Sequence, residues 1–111
     1  MANELILTTT GRRTGLPRST HVLYGQRGDD IVVVASNGGR ANDPQWYRNL
    51  LADPDVGVQV GDNPLRARAR TAAGTERDDL WQMMVADFPP YADYQRSLER
   101  EIPVIVLEPV E

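Results

Sequence analysis

Cysteine and lysine are absent from this chain, and histidine occurs once, as His21. Without cysteine there is no disulfide, no thiolate nucleophile and no cysteine-ligated zinc or iron–sulfur centre. A single histidine rules out a multi-histidine metal cage and leaves little room for a Ser-His-Asp device, so no metal and no hydrolase chemistry are expected. Long apolar runs are missing too: none approaches the roughly 18 residues of a membrane-spanning helix. Met1-Ala2-Asn3-Glu4 carries neither the basic nor the apolar part of a signal peptide. The expected location is therefore the cytoplasm. With 111 residues, 41% of them hydrophobic, the chain can build one core and is too short for two, so a single domain over residues 1–111 is expected.

What is present is an uneven distribution of charge. The net charge is −4, yet residues 1–50 hold six arginines against four acids, and residues 51–111 hold six against twelve. From Gly11 to Gly28 there are Arg12, Arg13, Arg18 and Arg27 and no acid. Positive charge gathered at one turn and its strand points to a local anion site rather than a nucleic-acid surface. The exclusive use of arginine suits bidentate contact with phosphate or carboxylate, and the coding bias of a GC-rich genome accounts for it as well.

The pattern predicts about six strands with two to three helices inserted between them. Glu4–Thr10 has strand composition, Gly11–Pro17 is a connection punctuated by glycine and proline, and Arg18–Arg27 alternates loosely as a second strand. The β-branched run Ile31–Ala35 predicts a strand buried on both faces, at the centre of the sheet. Asn42 or Asp43 as cap and Pro44 at the first helical position predict a helix, with Trp46, Tyr47, Leu50 and Leu51 as its apolar stripe and a stop at Asp53-Pro54. Val56–Val60, a turn at Gly61–Pro64, and Leu65–Thr71 read as a hairpin. Thr75 opens a second helix that ends before Pro89-Pro90, a short helical turn covers Tyr91–Leu98, and Ile102–Leu107 closes the chain as a strand. A small closed or half-open barrel of mainly β, α+β class fits this order.

Each candidate site has a plainer alternative. Gly11–Arg18 can cradle an anion through Thr14, main-chain N–H groups and guanidinium forks, or be a solvated basic turn. Ala35-Ser36-Asn37-Gly38-Gly39 lies just past the most buried strand and before a helix N-terminus, where N–H groups can meet a ligand edge or phosphate, or is a flexible turn. Helical spacing puts Trp46, Asn49 and Leu50 on one side, where an indole can lie against a flat ring, or where an amphipathic core helix simply packs. Arg66, Arg68 and Arg70 share one strand face and read as a solvated surface paired with carboxylates. Tyr91 and Tyr94 can overhang a pocket and offer phenolic protons, or pack against the barrel end. His21 is read as structural.

Taken in order, Leu5–Arg18, Val34–Gly39, Asn42–Leu50 and Phe88–Gln95, with the closing Ile102–Pro109, resemble the deazaflavin (F420)-dependent nitroreductase family over nearly the whole chain. The resemblance implies a split β-barrel, related to flavin-mononucleotide-binding oxidoreductases, that holds coenzyme F420. It also implies the roles. Arg12, Arg13, Thr14, Gly15, Pro17 and Arg18 would hold the phosphate and acidic tail; Ala35, Ser36, Asn37, Trp46 and Asn49 would border the deazaflavin ring. Tyr91 and Tyr94 would flank the acceptor pocket and supply or relay a proton. Family members carry a basic residue at the position of Asn37, often a tyrosine at that of Phe88, and a further, largely helical segment ahead of the first strand.

The expected activity is hydride transfer from the reduced deazaflavin to a small electrophilic acceptor: a quinone, a nitroaromatic or an activated enone. The rival readings are a non-catalytic F420 carrier and a barrel binding FMN or haem, since one fold hosts several ligands. Monomer and homodimer are both open, as is peripheral association with a membrane.

Overall fold

The computed structural model describes residues 3–110. Six strands form one closed antiparallel barrel: β1 (Asn3–Thr10), β2 (Pro17–Arg27), β3 (Asp30–Val34), β4 (Asp55–Val60), β5 (Asn63–Thr71) and β6 (Val104–Val110). Their order around the barrel is β1-β2-β3-β6-β5-β4, and β1 closes on β4 through the pairs Ile6 with Gln59 and Thr8 with Gly57. Closure removes every free sheet edge. It also removes the sheet centre predicted for β3, which has a paired neighbour on each side like every other strand.

Strand alternation sorts the apolar side chains into two cores. Leu5, Leu7, Ile31, Val33, Val56, Val58, Ile105 and Leu107 point into the barrel. Val32, Val34, Val104 and Val106 point outward and are covered by Leu80 and Met84 of α2 (Gly74–Asp87) and Tyr91 of α3 (Pro90–Arg96). That double cover is why Ile31–Val34 reads as an unbroken β-branched run. Burying each such side chain contributes about 1.5–3 kcal/mol, so Val33→Asp, at a position with no exposure, would disrupt the barrel.

Helix α1 (Gln45–Ala52) plugs one end of the barrel with Tyr47 and Leu50. Its start differs from the expected one. Pro44 is the cap, extended at φ −68° and ψ 155°, and no side chain caps the helix. Asn42 and Asp43 both lie ahead of the cap position, and Asp43 Oδ1 is engaged by Arg100 instead. Leu51, assigned to the apolar stripe, is 60% exposed; Asn49 is buried instead. The helix stops where Asp53 is extended, as the residue before a proline prefers. A short 3-10 turn at Asn37–Gly39 precedes α1. None of the described helices is long and apolar enough to cross a membrane.

Candidate functional site

The β1–β2 connection is rigid despite its glycines. Gly11 N–H donates to the Leu16 carbonyl at 2.8 Å, Gly15 N–H to the Gly11 carbonyl at 2.7 Å, and Leu16 N–H to Thr14 Oγ1 at 3.2 Å. A β-carbon at Gly11 would stand 2.8 Å from Thr14 Oγ1 and 3.1 Å from the Leu16 carbonyl, so a side chain there would push Thr14 out of its place in the loop. This loop, the inner end of β2, the Asn37–Arg40 segment and the first turns of α1 surround a cleft of about 770 Å³.

The floor of the cleft is a polar network built on Arg12. Its main-chain N–H and Nη1 both donate to Asn49 Oδ1, at 3.2 and 2.9 Å, and Nη2 donates to Gln45 Oε1 at 2.8 Å. Asn49 is 5% exposed and passes the network on by donating from Nδ2 to Thr9 Oγ1 at 3.3 Å. The side-chain acceptors of Arg12 are neutral amides, so its geometry is fixed while its charge is left uncompensated. Arg13, Arg18 and Arg40 also line the cleft, and no aspartate or glutamate does. Among the described residues no carboxylate pairs with any of these four arginines; the ion pairs lie elsewhere, as in Arg68–Asp55, Arg70–Glu76 and Arg77–Glu101. Four unpaired guanidinium groups around one cavity create a positive potential that suits an extended anion. The half-buried Trp46 adds a flat apolar surface in the same wall.

Seven of the residues singled out in the sequence line this cleft: Arg12, Arg13, Thr14, Arg18, Asn37, Trp46 and Asn49. Neither Gly15 nor Pro17 lines the cleft: Gly15 serves the turn with φ of +72°, and Pro17 opens β2 opposite Thr10. Ala35 is fully buried in the inner core, and Ser36, also buried, does not line the cleft. The tyrosines lie behind the wall. Tyr91 is 4% exposed and packs edge-on against Phe88 at 4.8 Å; burial pushes its phenol up to about 12. The Tyr94 ring sits beneath Gly39, where a β-carbon would come within 2.8 Å of it.

Thr9, Ser19, Thr20, His21, Arg40 and Gln45 line the cleft without having been singled out as binding residues. Gln45 was legible: it stands one helical turn before Asn49, on the same face. His21 pairs its Nδ1 with Glu4 Oε1 at 2.9 Å. Arg100 is the largest omission. It lies outside the cleft yet bonds the backbone on both sides of the Asn37–Arg40 wall, and nothing in the local sequence around it marks that role.

The family model for F420H(2)-dependent quinone reductase matches residues 1–109. An F420H(2)-dependent quinone reductase of Mycobacterium tuberculosis is 40% identical over 107 residues, covering 94% of this chain and 72% of its own. A solved F420-H2-dependent reductase superposes with a TM-score of 0.88 at 39% identity, covering 95% of this chain and 93% of the other. The haem storage protein HutZ of Vibrio cholerae, at 17% identity and a TM-score of 0.72 over 98% of this chain and 82% of its own, shares the fold. The chain belongs to the F420H(2)-dependent quinone reductase family, whose cofactor is the reduced deazaflavin coenzyme F420.

Proposed function

We propose that this protein reduces a small quinone with a hydride taken from F420H2, both held in the cleft above the Arg12 network. The observation that carries this reading is the set of four cleft arginines without carboxylate partners, next to the half-buried indole of Trp46 in the same wall. An anionic tail needs cations that are not already neutralised, and a flat ring needs an apolar wall, so the donor set fits a deazaflavin with a charged tail. When bound, the reduced cofactor supplies the hydride.

Arg12, Arg13, Arg18 and Thr14 hold the phosphate and acidic tail. Asn37, Trp46 and Asn49 border the ring, Asn49 doing so while it keeps Arg12 in place. The side chains exclude water from the ring and fix its orientation, so that a stacked acceptor can come within the roughly 3 to 3.5 Å that transfer requires. Tyr91 is too buried to deliver a proton to the reduced acceptor. We assign that proton to water entering the open side of the cleft. Quinones come first among acceptors because their two carbonyls take up a hydride and a proton without a leaving group; nitroaromatics and activated enones are the next to try.

The test is anaerobic titration of the protein with F420H2 followed by menadione, with Arg13→Ala alongside. Acceptor-dependent reoxidation above the protein-free rate, weakened in the variant, is the expected result. Binding without turnover would leave only a carrier, and tighter binding of FMN than of F420 would overturn the cofactor assignment.

A further inference from the structure

Arg100 lies between α3 and β6, on the far side of the Asn37–Arg40 segment from the cavity. Its side chain is 17% exposed. All five N–H groups of a guanidinium point outward in a fixed fork, and here five contacts are made. Nη1 donates to the Ala35 carbonyl at 3.3 Å and to Asp43 Oδ1 at 2.8 Å. Nη2 donates to the carbonyls of Ser36 and Arg40, both at 2.9 Å, and Nε to Arg40 again at 3.3 Å. One side chain thus ties together the beginning, the end and the helix-side exit of a loop whose inner residues, Asn37, Gly38 and Arg40, line the cleft.

That loop needs an external fastening. Asn37, Gly38 and Gly39 are three successive residues with positive φ, at 52°, 64° and 83°. Its own bonds are Gly39 N–H to Ser36 and Arg40 N–H to Asn37, two short-range contacts at 3.0 and 3.2 Å. Asn37 adds one side-chain bond to the Asn42 carbonyl. Asp43 leads directly into Pro44, Gln45 and Trp46, so the same guanidinium also sets where α1 begins and hence where Gln45 meets Arg12.

We propose that Arg100 is a positioning residue of the F420 site: a latch that holds two walls of the cleft in their binding geometry without touching the ligand. This rests on the F420 reading above. The physical consequence is a population effect. If the walls adopt the competent arrangement only part of the time, apparent affinity falls by that fraction, while molecules that do bind react normally. Lysine offers three donors from a point and cannot reproduce the fork.

The experiment measures binding of oxidised F420 by fluorescence titration, then steady-state turnover, for Arg100→Lys, Arg100→Ala, Asp43→Asn and Arg77→Ala. Arg77 is a second, half-buried arginine that lies away from the cleft and holds Glu101 and the Ile102 carbonyl beside Arg100, so it reports on the stability of the segment that carries the latch. We expect Arg100→Lys to bind F420 about tenfold more weakly, with turnover at saturating cofactor nearly unchanged. Millimolar guanidinium should restore affinity in Arg100→Ala, and Asp43→Asn should lose a smaller part in the same direction. Arg77→Ala should lower the melting temperature and leave affinity alone. Native affinity in both Arg100 variants, or a loss matched by Arg77→Ala and not rescued by guanidinium, would overturn the latch. If the unaltered protein binds no F420, it is the cofactor reading that fails. Amide exchange at Gly39 and Arg40 then judges the latch: faster exchange in Arg100→Lys but not in Arg77→Ala upholds it, and equal rates overturn it.

Discussion

At the end of β1, Arg12, Arg13 and Arg18 stand around a cleft with no carboxylate in its lining; along β5, Arg68 and Arg70 each lie against one. Both groups are exposed or half-exposed and both sit on strands or their connections, so density of positive charge does not distinguish them. Their partners do. Arg70 is held in a fork by Glu76 at 2.6 and 2.8 Å and touches Glu108 as well. Arg12 is held as firmly, by Asn49 and Gln45, which fix position and leave charge free. On the proposed reading, what suits Arg12 to an anion is that neutral groups satisfy its orientation and leave its charge free.

Alanine in place of each kind of arginine separates the two groups most strongly. Arg12→Ala removes one cation from the cleft and the charge-assisted bonds to Asn49 and Gln45, leaving the buried Asn49 Oδ1 with only the long main-chain contact from residue 12. F420 affinity should fall on the order of 100-fold, and stability by about 1–3 kcal/mol, read by fluorescence titration and urea melts. Arg68→Ala and Arg70→Ala should leave affinity untouched and cost no more than about 1 kcal/mol, because exposed ion pairs are screened and entropically expensive. Added salt should separate the groups in the same sense. It should weaken F420 binding steeply, since the unpaired cations are open to screening, while the melting temperature moves little. Equal losses of affinity in the β5 and cleft variants would remove the distinction.

A second comparison lies within the Asn37–Arg40 wall. Gly38 and Gly39 share a left-handed backbone, with φ of 64° and 83°, but a β-carbon on Gly38 meets nothing within 4 Å and one on Gly39 meets the Tyr94 ring at 2.8 Å. Gly38→Ala should therefore cost about 1–2 kcal/mol, the left-handed penalty alone. Gly39→Ala adds overpacking and should cost about 2–4 kcal/mol in all, with part of the loss recovered in Gly39→Ala/Tyr94→Ala. Chemical denaturation of the four proteins checks this. Equal costs would mean that Tyr94 does not support the wall.

How much of this was legible in the sequence depends on the range of the interactions. The six strands, the helices and the double burial of Ile31–Val34 follow from local alternation and β-branching, and the structure keeps them within a few residues. β6 runs on to Val110, because an Arg66–Val110 pairing across β5 extends it past the proline. The basic turn, the turn at Asn37 and the Trp46 helix were legible as candidates, and seven of their singled-out residues meet in one cleft. Partnership was not legible. That Arg12 meets Asn49 across 37 residues, or Arg100 meets Ala35 across 65, is set by barrel closure and has no local signature. Tyr91 and Tyr94 show the converse: their spacing suggested an overhang, but the apolar cover that α2 and α3 must form over β3 and β6 draws Tyr91 into the outer core.

The helices that cover the outer core offer the mildest contrast, between the buried Tyr91 and the exposed Glu76. Arg70 holds the exposed Glu76 carboxyl below its usual range. A depressed carboxylate stabilises the fold above its unfolded value and loses that contribution as pH falls through the folded one, so Glu76→Gln should flatten a small acid-side decline below about pH 4.5. Tyr91 has the opposite sign. Burial favours the neutral phenol and raises it to about 12, so its contribution is complete below the unfolded value near 10 and is lost as pH climbs from there toward 12. Tyr91→Phe keeps the ring against Phe88 and removes the ionisable oxygen. Its melting temperature should match that of the unaltered protein at pH 8 and exceed it at pH 11. Identical alkaline melting curves for the two proteins would mean that the Tyr91 phenol ionises as readily in the fold as in the unfolded chain, and that α3 is not sealed onto the barrel.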